Sequence, residues 1–255
     1  MVGNLLLRGM LVGVVAGLLA FGFARVFGEP QVDRAIAFEE QTAAAEQAAS
    51  GQPAVEEPEI VSRTTQAGIG LLTGIVVYGA AVGGLFSLVF AYAYGRLGTL
   101  GARGTAGLLA LGAFIAVVLV PFTKYPATPP AVGSPETIGA RTELFFVMLV
   151  VSLIAAVASI SLANRLWAKH GAWTASIIAG LAFVVVIVIA EYALPTVNEV
   201  PENFSADLLW RFRTASLGIH AVLWAVIGLG FGALVERGHV LDSRRTALSA
   251  RPATR

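Results

Sequence analysis

Six apolar runs alternate with polar breaks along the chain, and each is long enough to cross a bilayer core, which takes roughly 20 apolar residues per helix. They predict spanning helices at about Asn4–Phe27, Thr65–Tyr94, Ala106–Phe122, Glu143–Leu166, Trp173–Leu194 and Thr214–Val235. The second is long enough to tilt or to extend beyond the lipid, and the third is the shortest. The pattern predicts an all-α, polytopic membrane helical bundle of six transmembrane helices over residues 1–236, followed by a basic tail at 237–255 expected to lack structure. Connections at about 28–64, 123–142 and 195–213 are long, whereas those between them on the opposite face are short. Arg8 with Met10–Phe23 superficially fits a signal peptide, but no clean small-x-small cleavage site follows. The first run is therefore read as a retained helix.

Composition agrees with this pattern. Hydrophobic residues are 56% of 255, charged residues 13%, and the mean hydropathy is +0.78. A soluble domain carries about 25% charged residues. The chain has no cysteine, which removes disulfides, thiolate metal sites and iron–sulfur clusters. Its only histidines are His170, His220 and His239. No phosphate loop, HExxH or Gly-x-Ser-x-Gly motif occurs, so the chain is not read as an enzyme, and no permanently bound cofactor is expected. Nothing points to nucleic acid; the lipid bilayer is the partner that composition requires.

Charge sets the expected orientation. With a cytoplasmic N-terminus, the inner face collects Arg8, Arg96, Arg103, Arg165, Lys169, Arg237, Arg244, Arg245, Arg251 and Arg255, against only Glu236 and Asp242. The outer face collects the remaining Lys and Arg and all the other acids. Excess Lys and Arg in short inner loops is the positive-inside pattern, so both termini are expected in the cytoplasm. Eight of the outer acids lie in the first long connection (Glu29, Asp33, Glu39, Glu40, Glu46, Glu56, Glu57, Glu59), whose stretch Asp33–Ala49 has helix-favouring composition. Such a segment is a solvated acidic loop, or one that concentrates cations at a pore mouth.

The ends of the outer connections resemble one another. An acid, a short gap and Arg-Thr recur at Glu59 to Arg63-Thr64, Glu136 to Arg141-Thr142 and Asp207 to Arg213-Thr214. Three repeated helical hairpins would produce this, with Arg63, Arg141 and Arg213 in equivalent outer positions. So would Thr capping and Arg anchoring each helix independently. Glycines at four-residue spacing, Gly9/Gly13/Gly17, Gly70/Gly74 and Gly79/Gly83, with Gly228, Gly230 and Gly232 near the end, predict close helix packing in lipid.

Candidate chemistry lies in the outer loops and at the few ionisable residues of the spans. Pro121, Pro126, Pro129, Pro130 and Pro135 stiffen the second outer connection, which also carries Lys124, Tyr125, Glu136 and Arg141. In the third, Glu199 and Glu202 flank Pro201, with Asn198 and Asn203 beside them and Asp207 beyond. Oxygen groups of this kind suit hard or borderline divalent cations. The same stretch is also an interfacial segment anchored by Phe204, Trp210 and Phe212. Glu191, in the last turn of the fifth span, and His220, two turns inside the sixth and near Trp224, are the candidates for passing an ion inward, Glu143 opening the fourth span. The metal-ligand candidates are thus Glu136, Glu199, Glu202, Glu191 and His220. Lys124, Tyr125, Arg63, Arg141 and Arg213 are candidates for counter-charge or loop structure.

These loops also carry a family likeness. Lys124-Tyr-Pro-Ala-Thr-Pro-Pro-Ala-Val-Gly133, Pro135-Glu-Thr-Ile138, Arg141-Thr142, Leu194-Pro195, Asn198-Glu-Val-Pro-Glu202 and Leu209-Trp-Arg-Phe-Arg213 resemble the CbtA family, as do Val61-Ser-Arg-Thr64 and Gly68-Ile-Gly-Leu71. That family is the large membrane subunit of a predicted bacterial cobalt transporter. The resemblance implies cobalt as the transported ion, uptake across the bacterial plasma membrane serving cobalamin synthesis, and a small single-span partner subunit with a histidine-rich end. The stretch before Glu59 and the tail after Arg237 match none of its motifs. A non-transporting scaffold docking a partner through its outer loops, and a permease for another small solute, are the alternatives.

Overall fold

A computed structural model describes residues 2–50 and 60–249, with side chains to Gly238. The Pro- and Glu-containing end of the first outer connection, with Glu56, Glu57 and Glu59, lies outside the described residues, as do the side chain of His239 and the last residues of the tail. The regular structure is helical, with no strand among the described residues.

Helix α1 (Val2–Phe23) passes through a widened π turn at Ala24–Gly28 into α2 (Glu29–Ser50), so the chain stays helical well past the expected end of the first span. A short α3 (Arg63–Thr65) leads through a second π turn, Gln66–Gly70, into α4 (Leu71–Ala93). Helix α5 (Ala102–Ala113) runs through a third, Phe114–Leu119, into α6 (Val120–Lys124). Helix α7 covers Ile138–Ala193 and α8 covers Ala206–Ser249, so the tail expected to lack structure is helical as far as Ser249. Two of the π turns have a plain cause. A proline in a helix lacks the amide for its i−4 carbonyl and its ring collides with it. Pro30 and Pro121 each follow a π turn, and their i−4 residues, Val26 and Val117, lie inside it. The wider turn relieves the collision.

Among the described residues, five helical stretches are long and apolar enough to cross a membrane: Val2–Ser50, Arg63–Ala93, Ala102–Lys124, Pro135–Ala193 and Ala206–Gly238. Six separate spans are expected from the sequence, and the fourth and fifth lie together in Pro135–Ala193. Gly171, at φ 75° and ψ 163°, interrupts that stretch. The Ser159 hydroxyl donates to the Ala179 carbonyl at 3.0 Å. Twenty residues of straight helix would separate them by about 30 Å, so the stretch doubles back at Gly171, between Leu166 and Trp173 where the sequence breaks. That backbone region is essentially glycine-only, and strain there costs about 1–3 kcal/mol. Gly171→Ala is expected to lower stability by that amount, read as an earlier thermal unfolding in detergent, with spectra of a folded helical protein below the transition.

The chain forms two compact units. The first comprises residues 1–26, 59–111 and 218–255. Its seam is the contact of α1 with α4, where Gly9, Gly13 and Gly17 lie against the backbone of Gly83, Gly79, Ile75 and Val76. A Cβ on Gly13 would overlap the Gly79 carbonyl oxygen. Phe86, Phe90 and Phe231 fill the interior edge to face, with Phe231 5.6 Å from Phe86 and 5.0 Å from Phe90. Gly228 and Gly232 let α8 approach Ala106, Ala110 and the backbone of Arg103 on α5. Among the expected cytoplasmic cations, Arg103 pairs with Glu236 at 2.5 Å, and Arg96 lies 4.8 Å over the Tyr92 ring and donates to the Tyr92 carbonyl.

The second unit comprises residues 27–58 and 112–217. One core joins Val120, Met148, Ala155 and Ile187, bordered by Tyr125, Phe183 and Leu194. The other joins Ala35, Val132, Phe204 and Leu208, with Phe38 meeting Phe204 edge to face at 5.0 Å. This second core anchors the connections at 123–142 and 195–213. Val132 of the proline-rich segment and Phe204 of the third connection are buried against α2, so both connections are fastened to one helix.

Candidate functional site

Two connecting segments of the second unit, 123–142 and 191–213, are held together by polar contacts between residues 58 to 86 positions apart. Pro121 sits in the first turn of α6, and the helix stops at Lys124 because Tyr125 leaves helical geometry at φ −126°, ψ 72°, just before Pro126. The segment then turns through Ala131 (φ 65°) and Gly133 (φ 106°). The Ser134 hydroxyl caps the short 3₁₀ turn Pro135–Thr137 by accepting the Glu136 amide at 3.3 Å. Gly133 is required by close approach. The Arg141 guanidinium lies where its Cβ would be.

Glu199 is the hub of the arrangement. Its Oε2 accepts the Ser134 amide at 2.7 Å and the Thr137 hydroxyl at 2.9 Å, and faces Arg141 Nε at 3.5 Å. Arg141 Nη2 in turn donates to the Ser134 carbonyl at 3.2 Å. The Thr137 and Ser134 donors, followed by the Arg141 charge, hold the Glu199 carboxyl below the usual carboxylate range despite its partial burial. A carboxylate with these oxygen contacts is a latch between the segments, with its charge already answered.

A second set of contacts lies at the end of α7. Lys124 Nζ donates to the Glu191 carbonyl at 2.7 Å and to the Thr196 hydroxyl at 3.0 Å. The Thr123 hydroxyl lies 2.5 Å from Glu191 Oε1 and 2.6 Å from the Val120 carbonyl, and its single proton serves one of them at a time. The Tyr125 hydroxyl donates to the Pro195 carbonyl at 2.8 Å, and burial pushes its phenol pKa up. Arg213 Nε donates to the Ala127 carbonyl at 3.4 Å.

The sequence-derived residues therefore fall into different places. Glu199 and Arg141 belong to the first set of contacts, and Lys124, Tyr125, Glu191 and Arg213 to the second. Glu136 and Glu202 are exposed. Asp207 pairs with Arg211 on α8 at 2.8 Å. Arg63 opens α3 behind the Ser62 cap, and His220 lies in α8; both belong to the first unit. No group of three or more His, Asp or Glu positioned to hold a metal ion occurs among the described residues. Thr123, Ser134, Thr137 and Thr196 escaped the sequence reading, although Ser134-Pro-Glu is a recognisable helix-start signal.

The helix starts after residues 61, 133 and 204 share serine caps. Ser62 accepts the Thr65 amide, Ser134 that of Glu136 and Ser205 that of Leu208. Their Arg-Thr pairs differ, however, in distance from the cap, since Arg63 follows its serine directly and Arg141 and Arg213 follow a full two turns later.

Among known proteins, a family model described as "Probable cobalt transporter subunit (CbtA)" matches residues 2–236. No curated protein and no solved structure matches the chain.

Proposed function

The chain belongs to the CbtA family of probable cobalt transporter subunits, and from that premise we propose that it is the membrane-embedded part of a cobalt uptake system feeding cobalamin synthesis. The observation that carries the reading, beside the family match over nearly the whole chain, is the Glu199 latch, which orders two outer segments bearing the free carboxylates of Glu136 and Glu202. In this reading six helices cross the bacterial plasma membrane, the α7 stretch contributing two around Gly171, and both termini lie in the cytoplasm as the Lys and Arg distribution indicates. Acidic α2 raises the local concentration of hydrated divalent cations. Glu136 and Glu202 make first contact, and Glu191 or His220 passes the ion inward.

Cobalt(II) needs more ligands than single exposed carboxylates supply, and imidazole is among its preferred donors. This chain has few histidines. A second, small single-span subunit supplying imidazole ligands at the outer face fits both facts and the word subunit in the family description. The transported ion is cargo, so no resident cofactor enters the mechanism, and no bond-making chemistry is assigned to the chain.

The test is cobalt accumulation at nanomolar supply in a transport-deficient bacterium expressing the chain with and without the small subunit. Saturable uptake that resists excess magnesium is expected, and its dependence on the second subunit would place ligand capture there. No accumulation in either case, with the protein present in the membrane, would overturn the reading in favour of a scaffold or of another solute.

A further inference from the structure

In the first unit, two polar side-chain atoms one helical turn apart on α8 are buried without a hydrogen-bond partner: Nδ1 of His220 and Nε1 of Trp224. Trp224 is only 7% exposed. Their four-residue spacing puts both on one helix face, separated by about 6 Å of rise. Helix α4 packs against that face. Tyr78 meets His220 edge to face at 6.5 Å, and Phe86 meets Trp224 at 6.4 Å. More than about 90% of buried polar groups find a partner, and each orphan costs about 1–3 kcal/mol, so two adjacent orphans within an apolar span are unlike the rest of this interior.

The chemistry of the pair narrows what answers them. Indole N–H is a donor only, so a cation is repelled by it and an acceptor oxygen is required. Neutral imidazole protonated at Nε2 accepts at Nδ1. Water suits both, accepting a hydrogen bond from the Trp224 indole and donating one to His220 Nδ1, with further hydrogen-bonding capacity left for a next water. We propose that the His220–Trp224 face of α8, covered by Tyr78 and Phe86 of α4, is a hydrated station inside the membrane-spanning region. This deepens the permease reading, and rests on it only for what the water serves: a polar step for an ion that crosses with part of its hydration shell.

The natural chain is free of cysteine, so single cysteines can be introduced without background. His220→Cys and Ile227→Cys place a thiol on the same buried face, two turns apart, the second amid apolar side chains where Ile227 is 0% exposed. In native membranes, a charged methanethiosulfonate is expected to modify His220→Cys at least about tenfold faster than Ile227→Cys, because only thiolate reacts and thiolate forms where water reaches. Equal, slow rates would overturn the proposal. Should His220→Cys fail to reach the membrane, hydroxyl-radical footprinting of the unaltered chain decides. Oxidation of Trp224 at a rate close to that of exposed Trp210 supports a bound water, and protection of Trp224 overturns it. Neither readout involves cobalt, so a positive result with no cobalt uptake would refute the permease reading and leave the hydrated station standing.

Discussion

Glu199→Gln is expected to reduce cobalt uptake by about tenfold or more, the scale seen when residues that position a metal site are removed, while the protein still reaches the membrane. The amide keeps an acceptor oxygen that can still take both the Ser134 amide and the Thr137 hydroxyl, which share one oxygen of Glu199, but it removes the charge that faces Arg141. Arg141 Nε is buried with no hydrogen-bond partner, and the Glu199 carboxylate at 3.5 Å is the charge that faces it, so the loss falls on both segments at once. The latch account makes a sharper statement. Arg141→Met should reproduce most of the effect, and the double variant should be no worse than either single one, because both remove the same contact. A direct metal ligand at Glu199 would instead leave Arg141→Met mild and the two effects additive. Protection of residues 123–142 from hydrogen exchange supplies the second readout and should fall in each variant.

The acid limb follows from the same geometry. A carboxyl held below its ordinary value of 4.5 stabilises the folded segments fully above that value and loses its contribution as pH falls through the depressed one. Exchange protection at 123–142 is therefore expected to be flat from neutrality down to the ordinary carboxylate range and to fade below it. Protection that fades near neutrality would mean that another group carries the latch.

Gly13→Leu is expected to destroy the first unit. The new side chain would start inside the Gly79 carbonyl, and neither α1 nor α4 has a side chain there that could move aside. Overpacking costs 1–3 kcal/mol even where neighbours can yield; here the obstacle is backbone, and a loss above about 3 kcal/mol should remove the protein from the membrane or abolish its thermal transition in detergent. Gly74→Leu is the matched comparison. A Cβ at Gly74 meets nothing within 4 Å, so that variant should unfold within a degree or so of the natural chain, as surface changes within about 0.5 kcal/mol do. Equal behaviour of the two variants would show that the α1–α4 seam is not where the glycines bring the helices together.

Much of this was legible in the sequence for simple reasons. Apolar length specifies a spanning helix without reference to anything else, and the break between Leu166 and Trp173 coincides with the reversal at Gly171. The prolines marked the outer segments as stiff, and the loop motifs pointed to the family. Spacing did not tell which glycines matter. Gly70/Gly74 and Gly79/Gly83 look alike in sequence, yet Gly79 and Gly83 meet the backbone of α1 and Gly74 meets nothing. Nor did it separate the acids. Glu199 and Glu202 flank the same proline, and only the first reaches Ser134, Thr137 and Arg141.

The sequence by itself determined the solvent: a chain this apolar satisfies its backbone hydrogen bonds within helices, because lipid offers no alternative partner. It also determined where those helices strain, since proline at 30 and 121 and glycine at 171 constrain backbone geometry locally. Tertiary structure decided everything that depends on partners distant in sequence: that α2 buries Val132 and Phe204 together, that Glu199 is a latch, and that His220 and Trp224 share a buried face under α4. A local pattern fixes the conformation of its own backbone. Whether a charge is answered or a polar atom is left without a partner depends on which side chains packing brings within about 3 Å, and residues 60 or more positions apart meet only after the chain has folded.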